Sequence, residues 1–115
     1  MIDVLVLAPA HAAEAVFEYA GVKTATYGSA DEAARTLAGT EGPAILVSDG
    51  LMESELGGVA RAVAGRTGRV IEVRSERWDG AIFSPLSAAC RGVISGFGSG
   101  GVAAALALLE REAVL

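Results

Sequence analysis

Asp49 closes an apolar run, Ala44-Ile45-Leu46-Val47-Ser48-Asp49, and is followed by Gly50-Leu51-Met52 and then Gly57. A carboxylate at the carboxyl end of a central parallel strand stands where open α/β sheets place their chemistry. Other candidates fall at matching positions. His11 lies just past the first apolar run, and Ser75 and Trp78 lie past the fourth. Gly96-Phe97-Gly98-Ser99-Gly100-Gly101 fits G-x-G-x-x-G between an apolar strand and a helix, a loop able to cradle phosphate on backbone amides. No βαβ unit follows it, and the chain ends fourteen residues later, before an acid that could read a ribose. The run therefore reads as a βα loop, with binding of some other anion left open. His11 is the only histidine and has no second ligand nearby, so no metal site is expected and a ligand contact is the alternative. Trp78-Asp79-Gly80 reads as a loop with an aromatic contact residue. Ser84-Pro85 suits the start of a helix, since no base partner is visible, and nothing forms a catalytic triad or a paired acid and base.

The elements that must carry these residues alternate strand and helix. Val4–Ala8 is a continuous apolar run, the mark of a strand covered on both faces, and Pro9 closes it. A helix is expected over Ala12–Tyr19, stopped by Gly21, and then a more polar edge strand over Val22–Tyr27. Ser29 caps a helix running to about Ala38, with Asp31 and Glu32 in its first turn, and Gly39 ends it. The third strand ends at Asp49, a helix covers roughly Leu56–Ala64, and Arg69–Arg74 is the fourth strand. Helical spacing alone allows one helix from Pro85 to Phe97. Gly92 and Gly96 argue instead for a helix over Ile82–Cys90 and a short strand over Gly92–Ser95. A last helix covers Val102–Leu109. Five βα units predict one domain over residues 1–115, an α/β, three-layer α/β/α fold with an open five-stranded parallel sheet covered on both faces by helices.

Composition narrows the function. The chain of 115 residues is 52% hydrophobic and 20% charged, which describes a globular domain with a modest core. A net charge of −5 argues against nucleic-acid binding by these residues alone. Residues 1–57 carry nine acids against Lys23 and Arg35, whereas residues 58–115 carry five acids against seven arginines. Arg61, Arg66, Arg69, Arg74 and Arg77 read as a solvated helix face with its loops, the alternative being a basic flank. Cys90 is the single cysteine, which excludes a disulfide framework, and its apolar neighbours make it a buried structural thiol. The start Met1-Ile2-Asp3-Val4 does not fit a signal peptide. The uncharged stretch Gly92–Leu109 is broken by five glycines and two serines, so no membrane span is expected and the chain reads as cytoplasmic.

Several segments resemble the receiver domains of response regulators, in particular the NarL/FixJ class joined to a LuxR-type helix-turn-helix. The D-x-x-M spacing from Asp49, the run Tyr27-Gly28-Ser29-Ala30-Asp31-Glu32-Ala33, Ser75 at the end of the fourth strand, and Ala88-Ala89-Cys90-Arg91-Gly92-Val93-Ile94 carry the likeness. It implies a flavodoxin-like (CheY-like) fold, with Asp49 as the phosphoacceptor equivalent and Ser75 as the switch equivalent. The two magnesium-binding acids of the family are here Ala8 and Pro9, its strand-five lysine is Gly96, and its switch aromatic is Val93. The phosphorylation site is thus expected to be vestigial. A strand-end crevice lined by Ala8, Pro9, His11, Trp78, Gly96, Phe97 and Gly98 would remain beside it.

The expected function is that of a non-enzymatic pseudo-receiver without a cofactor. It would act by protein association, as a homodimer or with a regulatory partner, and would reach DNA only through a module outside this chain. Two alternatives stand beside it. Phe17-Glu18-Tyr19-Ala20-Gly21-Val22 with Asp31-Glu32-Ala33 resembles the small F subunit of V-type ATPases, which predicts a four-stranded sheet with a protruding C-terminal helix. A small-ligand sensor using the crevice is the other.

Overall fold

The structure, a computed structural model, describes residues 4–12, 23–74, 84–97 and 100–114. Five strands form one sheet: β1 (Leu5–Pro9), β2 (Lys23–Tyr27), β3 (Ala44–Val47), β4 (Val70–Arg74) and β5 (Gly92–Ser95). Their order is β2-β1-β3-β4-β5, and every neighbouring pair is parallel. Strands β1, β3 and β4 are buried and largely apolar because both faces of the sheet are covered there, whereas the edge strand β2 is polar and mostly exposed. Side chains alternate between the two faces as the pleat requires. Val6, Ala8, Ile45, Val47, Ile71 and Val73 pack on one side against Val102, Ala105 and Leu109. Leu5, Leu7, Ala44, Leu46 and Val70 pack on the other against Ala33, Leu37, Val59, Val63 and Leu86.

The four described α-helices are α1 (Ala30–Ala38), α2 (Leu56–Gly65), α3 (Pro85–Ala89) and α4 (Gly100–Val114). Helices α1 to α3 cover one face and α4 the other, giving the flavodoxin-like α/β arrangement. Ser29 caps α1 by accepting the Glu32 amide at 3.2 Å, and Gly39 ends it, as the spacing predicts. The break after α3 is also as expected: Cys90 is extended, and Gly92–Ser95 pairs with β4.

Two close approaches fix the layers. A Cβ on Gly101 would lie 2.7 Å from Val73 Cγ1 and 3.5 Å from Ile94 Cγ2, so the missing side chain lets the start of α4 settle onto β4 and β5. The last glycine of the G-x-G-x-x-G pattern therefore serves packing. At the opposite, amino edge of the sheet, Arg66 ties down the connection from α1 to β3. Its guanidinium donates to Leu37 O at 2.6 Å, Thr40 O at 3.1 Å, Thr40 Oγ1 at 2.7 Å and Gly42 O at 2.6 Å. Gly68 lies against Gly42 there in the left-handed region, at φ 109°.

Three expectations need correction. A five-stranded sheet with α4 packed on it removes the V-type ATPase F-subunit reading, which required four strands and a protruding helix. The third strand stops at Val47, and Ser48-Asp49-Gly50 forms a single 3-10 turn beyond it. Arg66 and Arg74 do not belong to a solvated face, since both turn inward onto polar partners. Most of the helix expected over Ala12–Tyr19 lies outside the described residues, as do Ser75, Arg77, Trp78 and Gly98. Among the described residues, no helix is long and apolar enough to cross a membrane.

Candidate functional site

The carboxyl ends of the strands bring turns from distant parts of the chain side by side. In sheet order, this edge presents Tyr27 at the end of β2, His11 in the 3-10 turn Ala10–Ala12 after β1, and Asp49 in the turn after β3. Arg74 at the end of β4 and Phe97 just past β5 complete the row.

The turn that carries Asp49 is set by a tight fit. A Cβ on Gly50 would stand 2.7 Å from Pro9 Cβ and 3.1 Å from the Tyr27 ring, so only glycine lets the turn lie down on the ends of β1 and β2. Tyr27 is buried, and its hydroxyl donates to Val47 O at 2.5 Å. Burial pushes that phenol well above its ordinary range, against the lowering effect of a hydrogen bond with the Gly50 backbone. Tyr27 is therefore a brace for the turn and a poor proton donor. Asp49 and His11 stand exposed on the surface of the edge.

The densest polar arrangement lies one strand further along. Glu72 is fully buried in the middle of β4, and a carboxylate in that position needs partners. It has three. Ser48 Oγ donates to Oε2 at 2.5 Å, Ser87 Oγ donates to Oε1 at 2.5 Å, and Arg74 Nε donates to Oε2 at 2.7 Å. Arg74 Nη2 also donates to Ser87 Oγ at 3.0 Å, closing a ring of contacts among β4, α3 and the turn after β3. The pleat explains the pairing, because residues two apart on a strand share a face. Ser84 caps α3 by accepting the Ser87 amide at 3.2 Å, which places Ser87 toward Glu72. The Arg74 side chain keeps 22% of its surface exposed while its guanidinium holds Glu72 and Ser87. Planar guanidinium forks match carboxylates, and Glu72 supplies one here.

The sequence drew attention to Asp49 and did not single out Glu72, Ser48 or Ser87. The available signal was an acid inside Val70-Ile71-Glu72-Val73-Arg74, which a doubly covered strand tolerates only if it is paired. Of the expected crevice residues, Ala8 is fully buried within the sheet, and Pro9 is buried against Gly50. Gly96 makes a left-handed turn at φ 86°, and Phe97 after it is 70% exposed. Cys90 is half-buried, and burial raises its thiol to about 12, with Glu72 adding to the rise and Arg74 opposing it. Such a thiol is a poor nucleophile. No cluster among the described residues could hold a metal ion.

No protein-family model and no curated protein sequence matches the chain. Among solved structures it is similar to the type II dehydroquinase from Propionibacterium acnes, with a TM-score of 0.69 and 18% identity over 93% of this chain and 94% of that one. It is also similar to a 3-dehydroquinate dehydratase-like protein from Bifidobacterium longum, with a TM-score of 0.57 and 18% identity over 95% of this chain and 94% of that one. These matches overturn the receiver reading and, with it, the non-enzymatic regulator of transcription built on it. The βα pattern read as a receiver belongs equally to other flavodoxin-like proteins, and these two similar structures, each matched over more than nine-tenths of this chain, are an enzyme and an enzyme-like protein. The likeness establishes that the chain has a flavodoxin-like α/β fold of the kind seen in type II dehydroquinase.

Proposed function

We propose that residues 1–115 form one catalytic domain, a dehydratase acting on a small hydroxylated ring carboxylate at the carboxyl edge of the sheet. Arg74 carries this reading. It is a cation at the end of a central strand, oriented by the buried Glu72 and by Ser87, with part of its side chain open to the edge. The neighbours' names supply the reaction class, and 3-dehydroquinate is a ring carboxylate that such a guanidinium suits.

Loss of water beside a ketone needs a base for the proton next to the carbonyl and an acid for the departing hydroxyl. His11 and Asp49 are the exposed titratable groups on the turns after β1 and β3, and they are our candidates for the two proton transfers. Tyr27 and Cys90 do not suit the task, since burial holds both in their neutral forms. The homodimer expected from the sequence remains part of this proposal, and a monomer by light scattering would remove it.

The test is incubation with 3-dehydroquinate while following ultraviolet absorbance, because dehydration next to a ketone creates a conjugated enone. A saturable rise is expected. Arg74→Lys keeps the charge but loses the planar fork, and should raise KM by roughly tenfold. His11→Ala should lower kcat by about a hundredfold, the usual scale for a lost general acid or base. Absence of both turnover and binding would overturn the proposal.

A further inference from the structure

Two buried hydroxyls grip the turn Ser48-Asp49-Gly50 from its two sides along the sheet. On one side Tyr27, the register partner of Pro9, reaches from β2 across the end of β1 and donates to Val47 O at 2.5 Å. The Gly50 backbone hydrogen-bonds to the same tyrosine, so one phenol spans the turn from the residue before it to its last residue. On the other side Ser48 Oγ donates to Glu72 Oε2 of β4 at 2.5 Å. The Leu51 amide closes the turn by donating to Ser48 O at 3.0 Å. That last bond would be enough to reverse a chain at a surface. The other contacts fix what the turn carries, and Asp49 is its one exposed side chain.

We infer that Tyr27 and Ser48 are positioning residues for the reaction, which act through Asp49 by holding its carboxylate in one place on the carboxyl edge. The inference rests on the reading of Asp49 as a proton-transfer group. Such a group must stand within hydrogen-bond reach of the atom it serves. Holding it there to within roughly 0.5 Å takes supporting residues that are themselves locked by packing and hydrogen bonds. Tyr27 is 2% exposed and Ser48 7%, so both are locked, and their hydroxyls reach a ligand only through the turn. Glu72 Oε2 accepts from Ser48 and from Arg74 alike, which ties the mount of Asp49 and the end of β4 to one oxygen.

Turnover of 3-dehydroquinate by the full chain, measured where circular dichroism shows each variant folded, separates position from stability. Tyr27→Phe keeps the ring and removes only the hydroxyl. It should lower kcat about tenfold and leave KM within twofold, the pattern of a misplaced reacting group. Ser48→Ala should lower kcat to a similar extent, and it carries the same test if Tyr27→Phe does not fold. Amide nitrogen relaxation by NMR, without substrate, should show Asp49 and Gly50 more mobile in either variant, with α1 and α2 unchanged. Turnover with kcat intact in the variants, or amides at Asp49 and Gly50 as rigid as before, would overturn the inference and leave the dehydratase reading standing. No turnover by the unmodified chain would overturn that reading and the inference together.

Discussion

Glu72 is the side chain on which the candidate site turns. Fully buried carboxylates are tolerated when their oxygens are satisfied, and here Ser48, Ser87 and Arg74 satisfy both. Breaking such a pair from one side costs more than removing it whole. Arg74→Met should therefore destabilise the fold by about 3 kcal/mol, read from the urea midpoint, because it strands the Glu72 carboxylate. The double change Glu72→Met with Arg74→Met should recover much of that loss. A double variant as unstable as the sum of the two single ones would contradict the argument. The acid and the base stand two apart on an apolar strand, yet the apolar pattern drew no attention to Glu72. The two serines were not legible either, since they come from 24 residues before Glu72 and 15 after it, and only folding brings them together. Asp49 was conspicuous because it follows an apolar run. Its exposure depends on the 3-10 turn, which no spacing announced.

Strand and helix placement was largely readable because covered strands and amphipathic helices leave different periods in the chain. Ser29, Gly39 and Pro85 mark boundaries by capping chemistry that acts locally. What escaped were the contacts between elements. Arg66 looked like one more surface arginine, yet it holds carbonyls at the end of α1 and in the segment leading to β3. Arg66→Ala would leave those carbonyls without their donor and should cost about 1–3 kcal/mol, measured by chemical denaturation. Arg66→Lys should recover only part, since one ammonium cannot span acceptors that the guanidinium reaches with two nitrogens. Gly101→Ala should cost about 1–3 kcal/mol through overpacking against Val73. A neutral result would show that α4 can lift from the sheet without loss.

For the chain as a whole, alkali is the expected weakness. The Cys90 thiol has its ordinary value of 9.0 raised to about 12 by burial, and Tyr27 is shifted upward for the same reason. An unfolded chain gives up these protons earlier than the folded one does. The stability they contribute is thus complete below about pH 9 and falls as pH climbs toward the folded value. Melting temperature should decline from about pH 9 upward, and Cys90→Ala should flatten the start of that decline. An unchanged alkaline profile in the variant would exclude the thiol as its source. The fold class was readable from five βα units, but the function was not, because the order β2-β1-β3-β4-β5 serves unrelated chemistries. The linked carboxylate and guanidinium of β4 also bear on how this protein can evolve. Losing either charge alone strands its partner, so the two charges should be inherited and lost together. Lineages that abandoned the site's chemistry would still carry both.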